Sequence, residues 1–315
     1  MKVPPHGLPP FFRNTCGSQA MTQEEAWDIG RLLTWTTEYL GRHGSDSPRL
    51  DAEILLAEAL GCRRIELYTA FDRVPSEKAR TRFRELVRRR AAGMPVAHLV
   101  GGREFYSLSF RVTPDVLIPR PETEFVVVDL LDLARREERP LDICDVGTGS
   151  GVLAVCAARH LPQARVVAID VSPAALQVAE TNARDHSVAD RVTFLESDLL
   201  AALPAEPQFD FIVSNPPYVS DSEMEQLPSE VRDHEPWLAL QAGPAGTSVI
   251  EKLLPQAAAR LRSGSHLLVE ISPMIHEAVS ALIDADPRWQ RLETTRDLAR
   301  HPRVVRARRT GRQSV

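Results

Sequence analysis

Asn215-Pro216-Pro217-Tyr218 closes the apolar run Phe209-Asp210-Phe211-Ile212-Val213-Ser214, downstream of a Gly-rich turn, Asp145-Val146-Gly147-Thr148-Gly149-Ser150-Gly151. An amide or exocyclic amine nitrogen is a poor nucleophile because its lone pair is delocalised. Hydrogen-bond acceptors set against its N–H hydrogens draw that lone pair back onto nitrogen. Asn215 offers a side-chain carbonyl, Pro216 a backbone carbonyl in a loop stiffened by proline, and Tyr218 a ring face for a flat group. Acceptors placed where positive charge develops act as an oxyanion hole of reversed polarity, so no strong general base is required. The chemistry implied is methyl transfer to a planar nitrogen. Asn215, Pro216 and Tyr218 are the expected catalytic residues, and Asn215, Pro216, Pro217 and Tyr218 are expected to hold the acceptor. A rigid turn after a strand would use the same four residues; the position, two strand–helix units after a cofactor-type turn, favours the chemical reading.

The Gly turn supplies the other half of the reaction. Glycines let backbone approach a ligand and take positive φ, and the exposed amides of a helix start favour an anionic group. Gly147, Thr148, Gly149, Ser150 and Gly151 are the expected cradle. About twenty residues on, Asp170 closes the run Val166-Val167-Ala168-Ile169, where a carboxylate can accept from both hydroxyls of a ribose. Asp198 closes the following run and can reach an adenine edge, with Leu199 packing beside the ring. For both acids, helix capping is the alternative. Because Asn-Pro-Pro-Tyr follows the fourth strand, the series points to S-adenosyl-L-methionine and not to a dinucleotide, with Asn215 at the reacting end of the cofactor site.

These residues need a scaffold, and the chain is long enough to supply one. Its 315 residues, 43% apolar and 26% charged, can bury a full core and are expected to form two domains, a division also drawn from the pattern below. A net charge of −5 argues against a protein devoted to duplex DNA or bulk RNA. Cys16, Cys62, Cys144 and Cys156 show neither Cys-x-x-Cys nor metal spacing, so no metal is expected and the thiols read as buried groups of a reducing cytosol. Prolines near Met1 break any leader-like apolar stretch, and no run reaches membrane-spanning length, which together predict a cytoplasmic protein without membrane partners.

Residues 1–20 read as a disordered extension and 21–100 as a helical substrate-recognition domain. Its helices are expected from Thr22 to Gly41, over 47–61 and over 76–92. The last carries a basic face of Arg80, Arg82, Arg84, Arg88, Arg89 and Arg90, expected to be solvated. Residues 101–124 read as a hairpin linker, with Phe105, Tyr106, Leu108 and Phe110, and 125–310 as the catalytic domain. There strand signals at 141–146, 165–170, 191–196, 209–213 and 266–271 alternate with helices such as 173–185 and 247–261, implying an α/β fold with a parallel sheet covered on both faces. Pieces near 290–295 and 304–307 complete the sheet. The arginines at 300, 303, 306, 308, 309 and 312 are expected on an edge strand and a frayed tail.

With these motifs in view the chain resembles the HemK/PrmC family, over roughly residues 22–309. The likeness rests on the helical N-terminal domain, Arg103-Glu104-Phe105-Tyr106, Leu117-Ile118-Pro119-Arg120-Pro121-Glu122-Thr123-Glu124, the Gly turn, Asn215 to Tyr218, and His234-Glu235-Pro236 with Ala239-Leu240. It implies a seven-stranded class I, Rossmann-like, S-adenosyl-L-methionine-dependent methyltransferase domain. It further implies that the acceptor is the glutamine N5 of the Gly-Gly-Gln motif in class I peptide chain release factors, with no direct nucleic-acid partner. Pro119 to Glu122 distinguishes this subgroup from the related ribosomal protein L3 methyltransferases and is expected to shape the pocket wall. Three positions depart from the family pattern: Ser272 after Glu270-Ile271, Leu199 in place of an aromatic, and Gly243-Pro244-Ala245-Gly246-Thr247 in place of a more acidic turn. The same tetrapeptide would grip an adenine or guanine amine in a nucleic-acid methyltransferase, and a non-catalytic S-adenosyl-L-methionine-binding module is the third reading.

Overall fold

The computed structural model describes residues 27–206 and 208–311. The expected extension at 1–20, the beginning of the first helix at Thr22, Cys16 and Arg312 lie outside the described residues. The chain divides between Val100 and Gly101 into two compact units.

The first unit is helical: α1 (Ile29–Arg42), α2 (Pro48–Leu60), α3 (Glu66–Thr69), α4 (Glu77–Ala91) and α5 (Val96–Val100). Asp28 starts α1 by accepting from the Arg31 N–H at 2.7 Å, and Ser76 starts α4 by accepting from Ala79. Gly61 ends α2 in the left-handed conformation, φ 65°, which a side chain would strain. Ile29, Leu32, Leu33, Thr36 and Leu40 form one buried stripe of α1. α2 buries Ala52, Leu55, Leu56 and Ala59 because α1, α4 and α5 surround it. The basic face of α4 is not simply solvated. Arg80 and Arg84 pair with Glu77, Arg82 with Glu58, Arg88 with Glu85, and Arg90 with Asp51 at 2.7 Å, the last pair nearly buried. Acids spread through α2 and α4 meet these arginines across turns, a pairing that composition hides.

The second unit opens with an antiparallel hairpin, β1 (Gly102–Phe105) and β2 (Leu108–Arg111). Phe105 and Phe110 are buried in the same core as α6 (Glu124–Ala134) and α7 (Val152–His160), which makes the hairpin an integral part of this unit. The main sheet holds β3 (Asp142–Val146), β4 (Arg165–Asp170), β5 (Val192–Glu196), β6 (Phe209–Ser214) and β7 (Leu261–Glu270) in the parallel order β5-β4-β3-β6-β7. β10 (Pro302–Arg309) then runs antiparallel to β7, and β8 (Trp289–Arg291) and β9 (Thr295–Arg296) both pair with β10. The expected parallel sheet is therefore parallel only in its first five strands.

Period-two alternation packs both faces. Ile143, Phe211 and Val213 enter a core with α6 and α7, while Cys144, Val146 and Ile212 enter the core built with α11 (Ser248–Arg260) and α12 (His276–Ala285). α8 (Pro173–Asp185) covers β4 and β5. Short helices α9 (Asp221–Met224) and α10 (Ser229–Arg232) interrupt the long segment after β6.

Three boundaries differ from expectation. β7 begins five residues early, because Arg262-Ser263-Gly264-Ser265 carries no apolar signal and Gly264, φ 86°, accompanies a register shift against β6. The strand expected near 290–295 is split into β8 and β9: Arg306 takes the Glu293 carbonyl at 2.7 Å, and the β9–β10 register shifts between Pro302 and Val304. β10 is not an edge strand but lies between β7 and the β8–β9 pair, with Val304, Val305 and Ala307 buried. Its arginines bond inward, Arg303 to Asp297 at 2.8 Å, Arg308 to the Gly264 carbonyl and Arg309 to the Ala258 carbonyl.

Candidate active site

Strand order reverses between β3 and β6, the place where an open α/β sheet leaves a crevice at its carboxyl ends. Val146 stands opposite Ser214, and the Ser214 hydroxyl donates to the Val146 carbonyl at 2.7 Å. The Gly turn and the Asn-Pro-Pro-Tyr loop therefore leave the sheet side by side.

Gly147, Gly149 and Gly151 take φ of 72°, 54° and 83°, so each needs glycine. A Cβ on Gly147 or Gly149 would meet nothing within 4 Å, which leaves open space in front of the turn. A Cβ on Gly151 would lie 3.0 Å from the Ala179 Cβ, so this glycine serves the close approach of α7 and α8. The Asp170 carboxylate holds the turn, accepting from the Gly149 N–H at 2.9 Å and from the Ser172 N–H at 3.0 Å. Lone pairs remain on it for further donors.

A cavity of about 230 Å³ occupies the crevice. Gly147, Thr148, Gly149, Ser150, Asp170, Asp198, Leu199, Asn215 and Pro217 line it, with Asp145, Thr123, Leu117, Pro119, Pro236, Leu238 and Ala239. Gly151, Pro216 and Tyr218 are not on its lining. Pro216 is buried, and Tyr218 packs into the α11–α12 core with its hydroxyl turned inward. Leu199 adopts φ 51°, a left-handed conformation costly for leucine, and Gln256 anchors the next residue by accepting from the Leu200 N–H at 3.0 Å.

The loop residues are held from several sides. Asn215 Nδ2 donates to the Thr123 hydroxyl at 3.1 Å. Tyr218 Oη donates to Glu270 Oε1 at 3.3 Å, and Glu270 Oε2 has no hydrogen-bond partner among the described residues. Gly246, φ 72°, lets a second loop approach: a Cβ there would sit 2.6 Å from the Tyr218 carbonyl. Glu235 is buried and clamps the Leu117–Arg120 wall, accepting from the Ile118 N–H at 3.0 Å and from Arg120 at 2.5 Å. Ser272 caps the 3-10 turn Pro273–Ile275 by accepting from the Met274 N–H at 3.3 Å, which gives this departure from the family pattern a structural role.

Burial dominates the electrostatics. It raises Asp145 from the ordinary carboxyl range to about 7, against the Thr148 hydroxyl and Ala154 N–H hydrogen bonds, with Asp170 raising it further. Asp145 Oδ1 has no partner among the described residues. Burial likewise raises Glu270 to about 7, opposed by the Thr123 and Tyr218 hydroxyls and Arg303, and reinforced by Glu122. Burial, followed by the Glu270 charge, pushes the Tyr218 phenol well above its ordinary value.

Asp145, Thr123, Glu235 and Glu270 were not assigned roles from the sequence. For Glu270 a signal exists: an acid ending the apolar run Leu267-Leu268-Val269 has no reason to be there for packing.

Residues 31–101 match the family described as PrmC N-terminal domain, and residues 127–230 match the Methyltransferase small domain. The chain is 49% identical over 287 residues to the release factor glutamine methyltransferase of Rhodopirellula baltica, an alignment covering 90% of this chain and 97% of that one. It is 39% identical over 285 residues to the protein of the same name from Koribacter versatilis, covering 90% and 98%. Among solved structures, the catalytic domain of hMettl16 superposes with a TM-score of 0.52 at 15% identity, over 70% of this chain and 82% of that one, a likeness of fold alone.

Proposed function

Because the chain belongs to the release factor glutamine methyltransferase family, we infer that it transfers a methyl group from S-adenosyl-L-methionine to the side-chain nitrogen of a glutamine, that of the Gly-Gly-Gln motif in class I peptide chain release factors. The observation that carries the chemistry is the orientation of Asn215. Its Nδ2 is engaged by Thr123, so Oδ1 is the end left to accept an N–H from a carboxamide. That contact draws the acceptor's lone pair onto nitrogen and stabilises the charge that develops there.

The residues present suit the cofactor. Open space in front of Gly147 and Gly149 admits a ligand against backbone, and Asp145 Oδ1, without a partner among the described residues, is a buried acceptor suited to a cationic amine. In this reading the segment from Gly147 to Gly151 and Asp145 hold the amino-acid portion, Asp170 the ribose hydroxyls, and Asp198 and Leu199 the adenine, with Asn215 beside the reacting end. Bound S-adenosyl-L-methionine supplies an electrophilic methyl carbon. Asn215 and the Pro216 carbonyl orient the glutamine amide, while Pro217 and Tyr218 shape the loop that carries them. The inward Tyr218 hydroxyl favours a supporting part for that residue over stacking by a mobile ring.

A folded protein substrate needs contacts beyond one side chain, and the helical unit before Gly101 is the proposed second recognition surface, with residues 125–310 as the catalytic domain. The intramolecular pairing of the α4 arginines favours a protein partner over nucleic acid. Among the described residues no helix is long and apolar enough to cross a membrane, and a release-factor substrate fits a cytoplasmic site of action.

Incubation of the purified protein with labelled methyl donor and a class I release factor, followed by mass mapping, tests the assignment. Label on the Gly-Gly-Gln glutamine is expected. Equal labelling of a Gln→Ala release factor would overturn it.

A further inference from the structure

Beside the mouth of the cavity two consecutive large apolar residues stand in the open: Trp237 and Leu238 are 55% and 63% exposed. Both belong to the 3-10 turn Trp237–Ala239. Leu238 lines the cavity and also reaches solvent, which places it at the opening, whereas Trp237 is off the lining. Val171 is exposed and on the lining too, but it follows Asp170, where the donor would cover it. The donor gives no such account of Trp237.

The turn cannot tuck these side chains away, because it is fixed on both sides. Before it, buried Glu235 accepts from the Ile118 N–H and from Arg120 of the Leu117–Arg120 wall. After it, the buried Leu240 offers its carbonyl to the Val219 N–H at 2.9 Å, and the Ala242 N–H donates to the Val219 carbonyl at 2.8 Å. Val219 follows Tyr218 directly, so the turn is tied to the loop that carries Asn215. The indole is held as well: Trp237 Nε1 donates to the Arg232 carbonyl at 3.3 Å. An exposed aromatic ring fixed before a partner arrives loses little freedom on binding, and tryptophan is among the side chains that most often anchor an interface.

Charge around the turn selects the class of partner. The stretch 221–233 carries Asp221, Glu223, Glu225, Glu230 and Asp233 against a single basic residue, Arg232. Both of its ends reach the turn's surroundings, Asp221 by accepting from Gln241 Nε2 at 2.8 Å and Arg232 through its carbonyl bond to Trp237. A face of this sign repels a nucleic-acid backbone and suits a polypeptide with basic residues near an apolar anchor.

A glutamine side chain is short, so for its amide to reach Asn215 the main chain that bears it has to cross the mouth, past Leu238. In a Gly-Gly-Gln segment the residues before the acceptor have no side chains to grip, which leaves side-chain contact to residues farther along, over the rim. We propose that Trp237 and Leu238 form the docking lip for this segment of the release factor: Leu238 lies against its main chain at the opening, and the Trp237 ring packs on an apolar side chain flanking the motif. The proposal rests on the methyltransferase reading and deepens it by naming a specificity surface.

The test is steady-state methylation of a class I release factor by the full chain at saturating donor, with donor affinity read by calorimetry. Trp237→Ala should raise KM for the release factor by about 10- to 30-fold while kcat and donor affinity stay within about twofold of wild type, the pattern of a contact made equally before and during reaction. Trp237→Phe, which keeps an aromatic face and gives up the bond to Arg232, should recover most of the loss. Leu238→Ser should raise KM as well. A KM within about twofold of wild type in Trp237→Ala, or a fall in kcat at unchanged KM, would overturn the proposal. So would a single-stranded RNA that inhibits the wild type and spares Trp237→Ala, since the ring would then be a platform for bases. Should Trp237→Ala not fold, the KM of Leu238→Ser decides alone. A wild-type protein that labels a Gln→Ala release factor as readily as the native one sinks the functional reading; one that labels only the native factor, with Trp237→Ala its equal, sinks the lip alone.

Discussion

The two edges of the parallel sheet treat buried acids in opposite ways. At the amino edge, Asp210 is 2% exposed yet fully partnered: Arg139 grips it with two bonds of 2.8 and 3.0 Å, Arg262 reaches it at 2.8 Å and the Asp142 N–H at 2.9 Å. Burial alone would raise Asp210 and Asp142, but their arginine partners outweigh it and hold both below the ordinary range. At the carboxyl edge, Asp145 and Glu270 each keep an oxygen without a partner among the described residues and rise to about 7. Strand β6 runs from one regime to the other within six residues. Saturated charge fastens strands together; of the two unsatisfied acids at the other end, Asp145 lines the cavity and is available to a ligand.

The sharpest way to break this contrast is to remove the acceptor at the far end of β6. Asn215→Ala should lower methylation turnover by about 10²- to 10³-fold, the range for deleting one preorganised polar contact to developing charge. Donor binding, read by calorimetry, should persist. Unchanged turnover would place the chemistry elsewhere and favour a module that only binds the donor.

The amino edge should answer in stability and not in rate. Asp210→Ala leaves Arg139 and Arg262 without their shared carboxylate, and with both arginines partly exposed the cost should be about 2–3 kcal/mol, below that of a fully buried pair. Denaturant melts would show it, while kcat of the folded enzyme should match wild type. A rate defect without a stability defect would mean that the two edges are not separate.

Next in size is Asp145. Asp145→Asn keeps the shape but not the charge, and donor affinity should fall about tenfold. In the wild type at pH 6, binding should release a proton, seen as a dependence of the calorimetric heat on buffer ionisation enthalpy, because a cationic ligand favours the ionised carboxyl. The variant should lose that dependence. Equal heats in all buffers for the wild type would show that Asp145 does not sense the ligand.

How far these groups were legible in the sequence follows from how far apart their partners lie. β3, β4 and β6 announce themselves as apolar runs, and the Gly turn and Asn-Pro-Pro-Tyr announce a crevice, since each signal is contained within a dozen residues. Thr123 lies 92 residues from Asn215, and Glu235 lies 117 from Ile118, so neither contact leaves a local trace. The inward turn of the Tyr218 hydroxyl depends on Glu270, 52 residues on. β10 was misplaced at an edge because arginines usually signal solvent, whereas here Arg303 pairs with Asp297 and Arg306 with Asp129 of α6. Strand continuity was misjudged where Gly264 and the split at 292–294 broke the alternation.

The smallest effect expected is in the pH dependence of stability, and its sign separates the edges. Asp142 and Asp210 are depressed in the folded state, so their stabilisation is present above the unfolded carboxyl range near 3.8 and is lost as pH falls through their lower folded values. Glu270 is raised from 4.5 to about 7, so the folded state binds the extra proton in that window and stability falls as pH rises through it. For one such group the loss between pH 6 and 8 is about 1.4 kcal/mol, or roughly 3–6 °C in Tm for a domain of this size. Asp145 adds a loss of the same sign. The wild type should therefore melt lower at pH 8 than at pH 6, and Glu270→Gln, which cannot ionise, should remove about half of that difference. Asp210→Asn should leave the difference between pH 6 and 8 intact while flattening the fall below pH 4, because its titration lies wholly on the acid side. A Glu270→Gln protein whose Tm still drops by the full wild-type amount would mean that Glu270 does not bind its proton more tightly in the folded state.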